Sequence, residues 1–205
     1  MIAVVDYGMG NLRSVAKGLE RVGSQAQITD DPATVRRATG IVLPGQGAFG
    51  TAMRRLEAAG LVDVIRERID AGTPFLGVCL GLQVLFESSE EAPGVDGFGI
   101  LRGTVVRFDG AAQPGMKIPH MGWNQLEVTS TASLLRDVKD GDYVYFVHSY
   151  YAVPQDAQDI AARTDYGVRF ASAVHRRNVF ATQFRPEKSQ AIGLGILSAF
   201  GEMAA

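Results

Sequence analysis

The 205-residue chain is poor in cysteine and histidine, with one of the first and three of the second. A lone thiol cannot close a disulfide within the chain. That excludes a disulfide-stapled secreted scaffold and points to a reducing compartment. No apolar run approaches the roughly 20 residues needed to span a bilayer. The strand-like run Ile2-Ala3-Val4-Val5 opens the chain with no basic segment and apolar core ahead of it, so a cytoplasmic location is expected. Basic residues are not in excess: 20 Lys and Arg face 22 Asp and Glu, for a net charge of −2. This argues against a general nucleic-acid binder or an anionic-membrane binder. Clusters of His, Cys and carboxylates at metal-ligand spacing are missing, and Gly8-Met9-Gly10 lacks the third glycine of a dinucleotide fingerprint. No metal or other cofactor is therefore expected. With no repeat, low-complexity stretch or linker either, the 46% hydrophobic, 20% charged composition predicts one globular domain over residues 1–205.

What is present first is an alternation of strand and helix signals over about 80 residues. Ile2–Val5 reads as a strand and 7–11 as a loop. Leu12, Val15, Ala16, Leu19 and Val22 recur at helical spacing, with Gly23 as the stop. A strand over Ala26–Thr29 and a short helix starting at Asp31-Pro32 follow. Ile41-Val42-Leu43 is a buried strand running into Pro44-Gly45-Gln46-Gly47. Helices are expected over 49–58 and 61–71. Pro74-Phe75-Leu76-Gly77-Val78 is the next strand, and a helix leaves it through Leu82, Leu85 and Phe86. Short apolar strands alternating with helices predict a three-layer α/β fold, flavodoxin-like, with a mostly parallel central sheet between helices. After Ser88 the signals turn to strands, over 103–108, 124–128, 143–148, 160–164, 170–175 and 179–183. Asp109-Gly110, Asp140-Gly141 and Arg177-Asn178 mark turns. This half is expected to extend the sheet with antiparallel strands, and 190–200 to close the chain as an apolar helix.

The sharpest local signal is Gly77-Val78-Cys79-Leu80-Gly81, entered by a strand and left by a helix. It has the form of a nucleophile elbow with Cys in place of Ser. The tight turn forces a strained conformation on the nucleophile, and side chains two positions away would crowd it. A sulfur at a helix N-terminus is expected to be acidified by the dipole. The Leu80 amide is one candidate oxyanion-hole donor. The Gly45-Gln46-Gly47 loop, whose glycines let backbone N–H groups approach a substrate, is placed to supply another. A buried cysteine in a glycine-rich strand is the bland alternative, and the paired glycines favour the nucleophile. A second constellation, 181–189, ends a strand with Gln183-Phe184-Arg185-Pro186-Glu187-Lys188. On its own it reads equally well as a helix start, with Pro186 in the first turn and Glu187 favoured by the dipole.

Six stretches together resemble the class I glutamine amidotransferases, and within them the glutaminase subunits of imidazole glycerol phosphate synthase. They are 6–12 (Asp-Tyr-Gly-Met-Gly-Asn-Leu), 44–49 (Pro-Gly-Gln-Gly-Ala-Phe), 77–83 (Gly-Val-Cys-Leu-Gly-Leu-Gln), 119–124 (Pro-His-Met-Gly-Trp-Asn), 145–151 (Tyr-Phe-Val-His-Ser-Tyr-Tyr) and 183–189. The resemblance implies a Cys-His-Glu triad in which Cys79 attacks the side-chain amide of glutamine and Glu187 orients the base. It implies an oxyanion hole at Leu80, Gly45 and Gln46, and glutamine contacts at Gly47, Gln83, Ser149 and Tyr150. It also implies a partner, the (β/α)8-barrel cyclase of histidine biosynthesis, that receives the ammonia. Asn11, Trp123, Tyr145 and Lys188 match positions at or near that interface, although Trp123 and Tyr145 read equally as core.

One position departs from the resemblance: Arg185 stands where the family carries its triad histidine. A guanidinium stays protonated, with a pKa above about 12, and can neither take the thiol proton nor return one to a leaving amine. It can pair with Glu187 and favour a thiolate. Of the three histidines, His120 and His148 lie in other family motifs, and His175 is expected near an exposed turn. The expectation is a glutaminase whose own hydrolysis is strongly reduced. The alternatives are a non-catalytic cyclase-binding subunit, the glutaminase of another synthase, and a cysteine hydrolase or redox sensor built on the same elbow.

Overall fold

A computed structural model describes residues 1–110, 116–130 and 132–205. The first half runs β1 (Ile2–Val5), α1 (Leu12–Arg21), β2 (Ala26–Thr29), α2 (Pro32–Arg37), β3 (Gly40–Gly45), α3 (Phe49–Ala58), α4 (Leu61–Asp70), β4 (Phe75–Cys79), the single turn α5 (Leu80–Gln83) and β5 (Ser88–Ser89). The second half runs β6 (Gly103–Arg107), β7 (His120–Gln125), β8 (Glu127–Val128), β9 (Tyr143–His148), β10 (Tyr150–Pro154), β11 (Ile160–Asp165), β12 (Arg169–Arg176), β13 (Val179–Thr182) and α6 (Gln190–Met203).

The central sheet has eight strands in the order β2-β1-β3-β4-β13-β12-β11-β8. The first five are parallel, and β12, β11 and β8 continue the sheet antiparallel. β1, β3, β4 and β13 are buried along their whole length because both faces of the sheet are covered there. Ala3, Val5, Ile41 and Leu43 pack with α3 and α4, and Ile2, Val4 and Val42 pack with α1 and α6. Asp31 starts α2 by accepting from the amides of Ala33 and Thr34, as Asp-Pro suggests.

The antiparallel extension holds for part of the second half only. β7 and β9 form a separate two-stranded ribbon, and β10, β6 and β5 form a small third sheet. The residues 150–154 that make β10 carry no turn signal separating them from β9, which hides them in the sequence. The helix expected through Leu85 and Phe86 stops after one turn. There the carbonyls of Val84, Leu85 and Phe86 accept from Phe98, Gly99, Ile100 and Leu101, so a neighbouring loop takes the acceptors that a longer helix would use. The Asp109-Gly110 turn borders residues 111–115, which lie outside the described residues.

The elbow is where the backbone is most tightly constrained. Cys79 takes φ 57°, a region costly for a residue with a side chain. A Cβ on Gly77 would stand 2.5 Å from the Gly81 carbonyl oxygen, and one on Gly81 would fall onto the Leu43 carbonyl oxygen. The closeness of β3, β4 and α5 therefore needs both glycines. Gly81→Ala is expected to lower the unfolding free energy by about 3 kcal/mol or more in urea titration, by overpacking against rigid backbone. Gly195→Ala, in α6 with open space around it, is expected to be neutral or to stabilise by up to about 1 kcal/mol.

Candidate active site

Three strand ends build the site. β3 and β4 are parallel, with Gly45 directly beside Cys79. On the other flank β13 pairs with β4 so that Thr182 lies beside Val78. The loops leaving β3 and β13 therefore emerge on either side of the thiol. This is the carboxyl edge of a parallel sheet, where open α/β folds place their ligands. A cleft of about 480 Å³ opens there. Its walls include Gln46, Gly47, Cys79, Leu80, Gln83, Ser149, Tyr150 and Arg185. Residues 44–47, 77–83, 145–151 and 183–189, distant in sequence, meet in one place.

The thiol is almost fully covered. Its S–H lies 3.8 Å from the Val147 carbonyl, and Gln183 donates to the sulfur at 3.7 Å. Burial pushes the Cys79 thiol above its ordinary value, while the adjacent Arg185 guanidinium and the Leu80 N–H pull it down without reversing the shift. This corrects the expectation of a dipole-acidified sulfur. α5 is one turn long, so its dipole is small, and desolvation is the larger effect.

Arg185 lies beside the sulfur, and Glu187 lies behind Arg185. The guanidinium and carboxylate stand 3.8 Å apart, with side chains 9% and 2% exposed. Among the described residues, Arg185 Nε and Glu187 Oε2 have no hydrogen-bond partner. Burial raises the Glu187 carboxyl above its usual range, opposed first by its own backbone N–H and then by Arg185 and Lys188. The backbone that carries them is anchored. The Arg185 amide donates to the Tyr145 carbonyl, and Ser189 both donates to the Arg185 carbonyl and accepts from the Tyr145 amide.

Gln83 is in the cleft wall, and its amide nitrogen donates to the Tyr150 carbonyl and to Gln183 Oε1. Its donors thus serve to hold the 149–150 segment. The sequence pattern assigns no site role to Gln183, Glu91 or Tyr7. Gln183 is fully buried against the thiol. Glu91 lines the cleft and accepts from the Phe49 amide. Tyr7, whose hydroxyl is raised by burial and then by Cys79, packs under the Gly45 backbone. Gln183 sits in the 183–189 stretch that the sequence pattern marks, whereas nothing in the irregular sequence around Glu91 signals it. Among the expected interface residues, Trp123 is 46% exposed and meets Tyr145 edge-on at 6.0 Å, beside exposed Met121 and Tyr143. That exposure overturns the core-packing alternative for Trp123. Lys188 is exposed at the cleft rim, and Asn11 is half-buried at the start of α1.

All three histidines are engaged with other groups. His148 Nδ1 bonds the Tyr150 carbonyl at 2.8 Å, and its Nε2 bonds His120 Nδ1 at 3.0 Å. Asn124 Nδ2 reaches His120 Nε2 at 3.3 Å. One tautomer set satisfies the whole chain, each imidazole neutral and donating through Nδ1. His175 is stacked on Phe180 and bonds the Arg177 carbonyl, on the antiparallel part of the sheet. Burial holds the His148 ring down at about 3 and the His120 ring at about 4. A histidine whose folded value is depressed contributes stability above its unfolded value, near 6.5, and loses it as pH falls towards the folded value. The unfolding free energy is therefore expected to fall by on the order of 2 kcal/mol between pH 7.5 and pH 5 through His148 alone. Urea midpoints at the two pH values, with His120→Gln blunting the difference, check this.

Among the described residues no group of three or more His, Cys, Asp or Glu side chains could hold a metal ion. No described helix is long and apolar enough to cross a membrane.

The glutamine amidotransferase class-I family model matches residues 3–198. The imidazole glycerol phosphate synthase subunit HisH of Syntrophotalea carbinolica is 54% identical, covering 99% of this chain and all of its own. Its namesake in Geobacter sulfurreducens is 51% identical, covering 98% of both chains. Among solved structures, a glutamine amidotransferase superposes with a TM-score of 0.77 at 20% identity over 100% and 99% of the two chains. At that identity it speaks for the fold alone. An elbow cysteine in a cleft at the sheet edge, carried on a sequence half identical to these relatives along its whole length, places the chain in the class I glutamine amidotransferase family, among the HisH subunits of imidazole glycerol phosphate synthase.

Proposed function

We propose that the chain is the glutaminase subunit of a two-component synthase in histidine biosynthesis. It binds glutamine, releases glutamate and ammonia, and delivers the ammonia to a (β/α)8-barrel cyclase that makes imidazole glycerol phosphate and aminoimidazole carboxamide ribotide. The observation that carries this reading is the convergence of Cys79, the Gly45–Gly47 loop and the 185–187 segment on one cleft.

The chemistry follows from what each group can do. Cys79 attacks the γ-carbonyl carbon after losing its proton to solvent. Negative charge gathers on the carbonyl oxygen and is received by the N–H groups of Leu80 and of the Gly45, Gln46 and Gly47 loop. Ser149 and Tyr150, held by Gln83 and His148, grip the rest of the glutamine. Ammonia leaves only with an added proton, and water then hydrolyses the thioester. Arg185 stabilises the thiolate but cannot shuttle these protons. Hydrolysis of the amide is therefore slow in this chain. Exposed Met121, Trp123 and Tyr143, with Tyr145, Asn11 and the rim lysine Lys188, form the face for the cyclase; an apolar patch beside the cleft mouth supports that reading.

The permanent cation at 185 also favours a second reading, in which the chain serves only to bind the cyclase, and free ammonium feeds the reaction. The two separate in one assay of glutamate release with the cyclase present. Arg185→His is expected to raise turnover by about 10²–10⁴-fold, and Cys79→Ala to abolish it. Equal turnover of the unaltered chain and the Arg185→His variant would overturn the assigned role of position 185. No turnover in either would leave the binding-subunit reading.

A further inference from the structure

Arg185 changes which leaving groups the site can expel, and this inference rests on the acyl-transfer reading just given. Ammonia is expelled from a tetrahedral intermediate only if its nitrogen gains a proton, and none of His148, Arg185 and Glu187 is placed to shuttle one. Both His148 ring nitrogens are engaged, by the Tyr150 carbonyl and by His120. Arg185 is a permanent cation. Glu187 lies beyond it, across a 3.8 Å gap. An aryl thiolate or aryl oxide needs no proton, since it departs with its bonding pair as an anion. A fixed positive charge near the departing atom lowers that barrier. The site carries such a charge beside the sulfur. Arg185 is almost fully buried, faces the cleft, and its Nε has no partner among the described residues.

We propose that this chain is an acyl-transfer enzyme for γ-glutamyl esters and thioesters with anionic leaving groups, with Arg185 as the electrostatic catalytic residue in place of an acid–base histidine. In the first step the Cys79 proton passes to water and the sulfur–carbon bond forms at the γ-carbonyl. The carbonyl π pair moves to oxygen, towards the Leu80 amide. The oxyanion then collapses, the carbon–sulfur bond to the aryl group breaks, and the aryl thiolate leaves with the electron pair past Arg185. No oxidant or second substrate is needed. The second step, attack of water on the Cys79 thioester, lacks a general base. The γ-glutamyl enzyme therefore accumulates.

The test uses the full-length chain and freshly prepared γ-glutamyl S-phenyl thioester, with Cys79→Ala recording spontaneous decay. The expected result is a burst of about one equivalent of thiophenol per chain and a mass increase of one γ-glutamyl group on Cys79, while glutamine gives neither. Arg185→Lys, which keeps the charge, is expected to retain the burst. Arg185→Gln is expected to slow it at least about tenfold. A burst unchanged in Arg185→Gln would overturn the role of the cation, and absence of any burst above the Cys79→Ala blank would overturn the activity. If Arg185→His hydrolyses glutamine while the unaltered chain shows no burst, this inference fails and the glutaminase reading stands. If Arg185→His handles neither compound, the glutaminase reading fails as well.

Discussion

The left-handed turn at Cys79 is held in place by backbone pressed on backbone. Gly81 lies against the Leu43 carbonyl and Gly77 against the Gly81 carbonyl, with no room for a side chain at either glycine. The strain at Cys79 is sustained because β3, β4 and β13 are fully buried and paired on both sides of the bend. The same packing sets where the other groups can be. The loop after β3 leaves beside the sulfur, and the chain after β13 returns on its opposite flank, so the turn defines both walls of the cleft.

Within that cleft the balance of charge differs from what a helix-end cysteine suggests. Desolvation outweighs the one-turn dipole and the neighbouring cation, so the thiol is held protonated more firmly than a free one. Arg185 and Glu187 form a buried pair at long range, each with an atom left unmatched. Such a pair contributes little to stability unless it is completed by further hydrogen bonds. Nearby, the His120–His148 couple is fully engaged in holding the Tyr150 carbonyl, with Phe146, Tyr166 and Phe170 packed around it. Those imidazoles shape one wall of the cleft and have no lone pair to spare for proton transfer.

The ribbon of β7 and β9 links this interior to the surface. Along β7, His120 is buried, while Met121 and Trp123 are exposed. Along β9, His148 and Phe146 point inward, and Tyr143 is exposed. The two-residue period of a strand thus puts cleft-shaping residues and an apolar outer face on the same short segment. A partner seated on that outer face would press directly on the wall that carries Val147, Ser149 and Tyr150.

Local pattern alone determined much of this protein. The parallel half follows from short apolar runs alternating with amphipathic helices: β1, β2 and α3 have the bounds read from sequence. The elbow followed from Gly-x-Cys-x-Gly, because a steric requirement two residues either side of a nucleophile is written in consecutive positions. That residue 185 carries a permanent cation is equally legible, since a guanidinium stays protonated in nearly any surroundings. Tertiary structure decided the rest, because those outcomes depend on neighbours distant in sequence. Loop 98–101 stops the helix after α5 by taking the carbonyls of Val84, Leu85 and Phe86, the ribbon and the small third sheet divide strands that look alike in sequence, and burial reverses the direction expected for the Cys79 thiol. Gln183 and Glu91 reach the cleft only because the end of β4, 104 residues from Gln183, and the start of α3, 42 residues from Glu91, are packed beside them. Burial and pairing are properties of three-dimensional neighbours, and no local pattern records them.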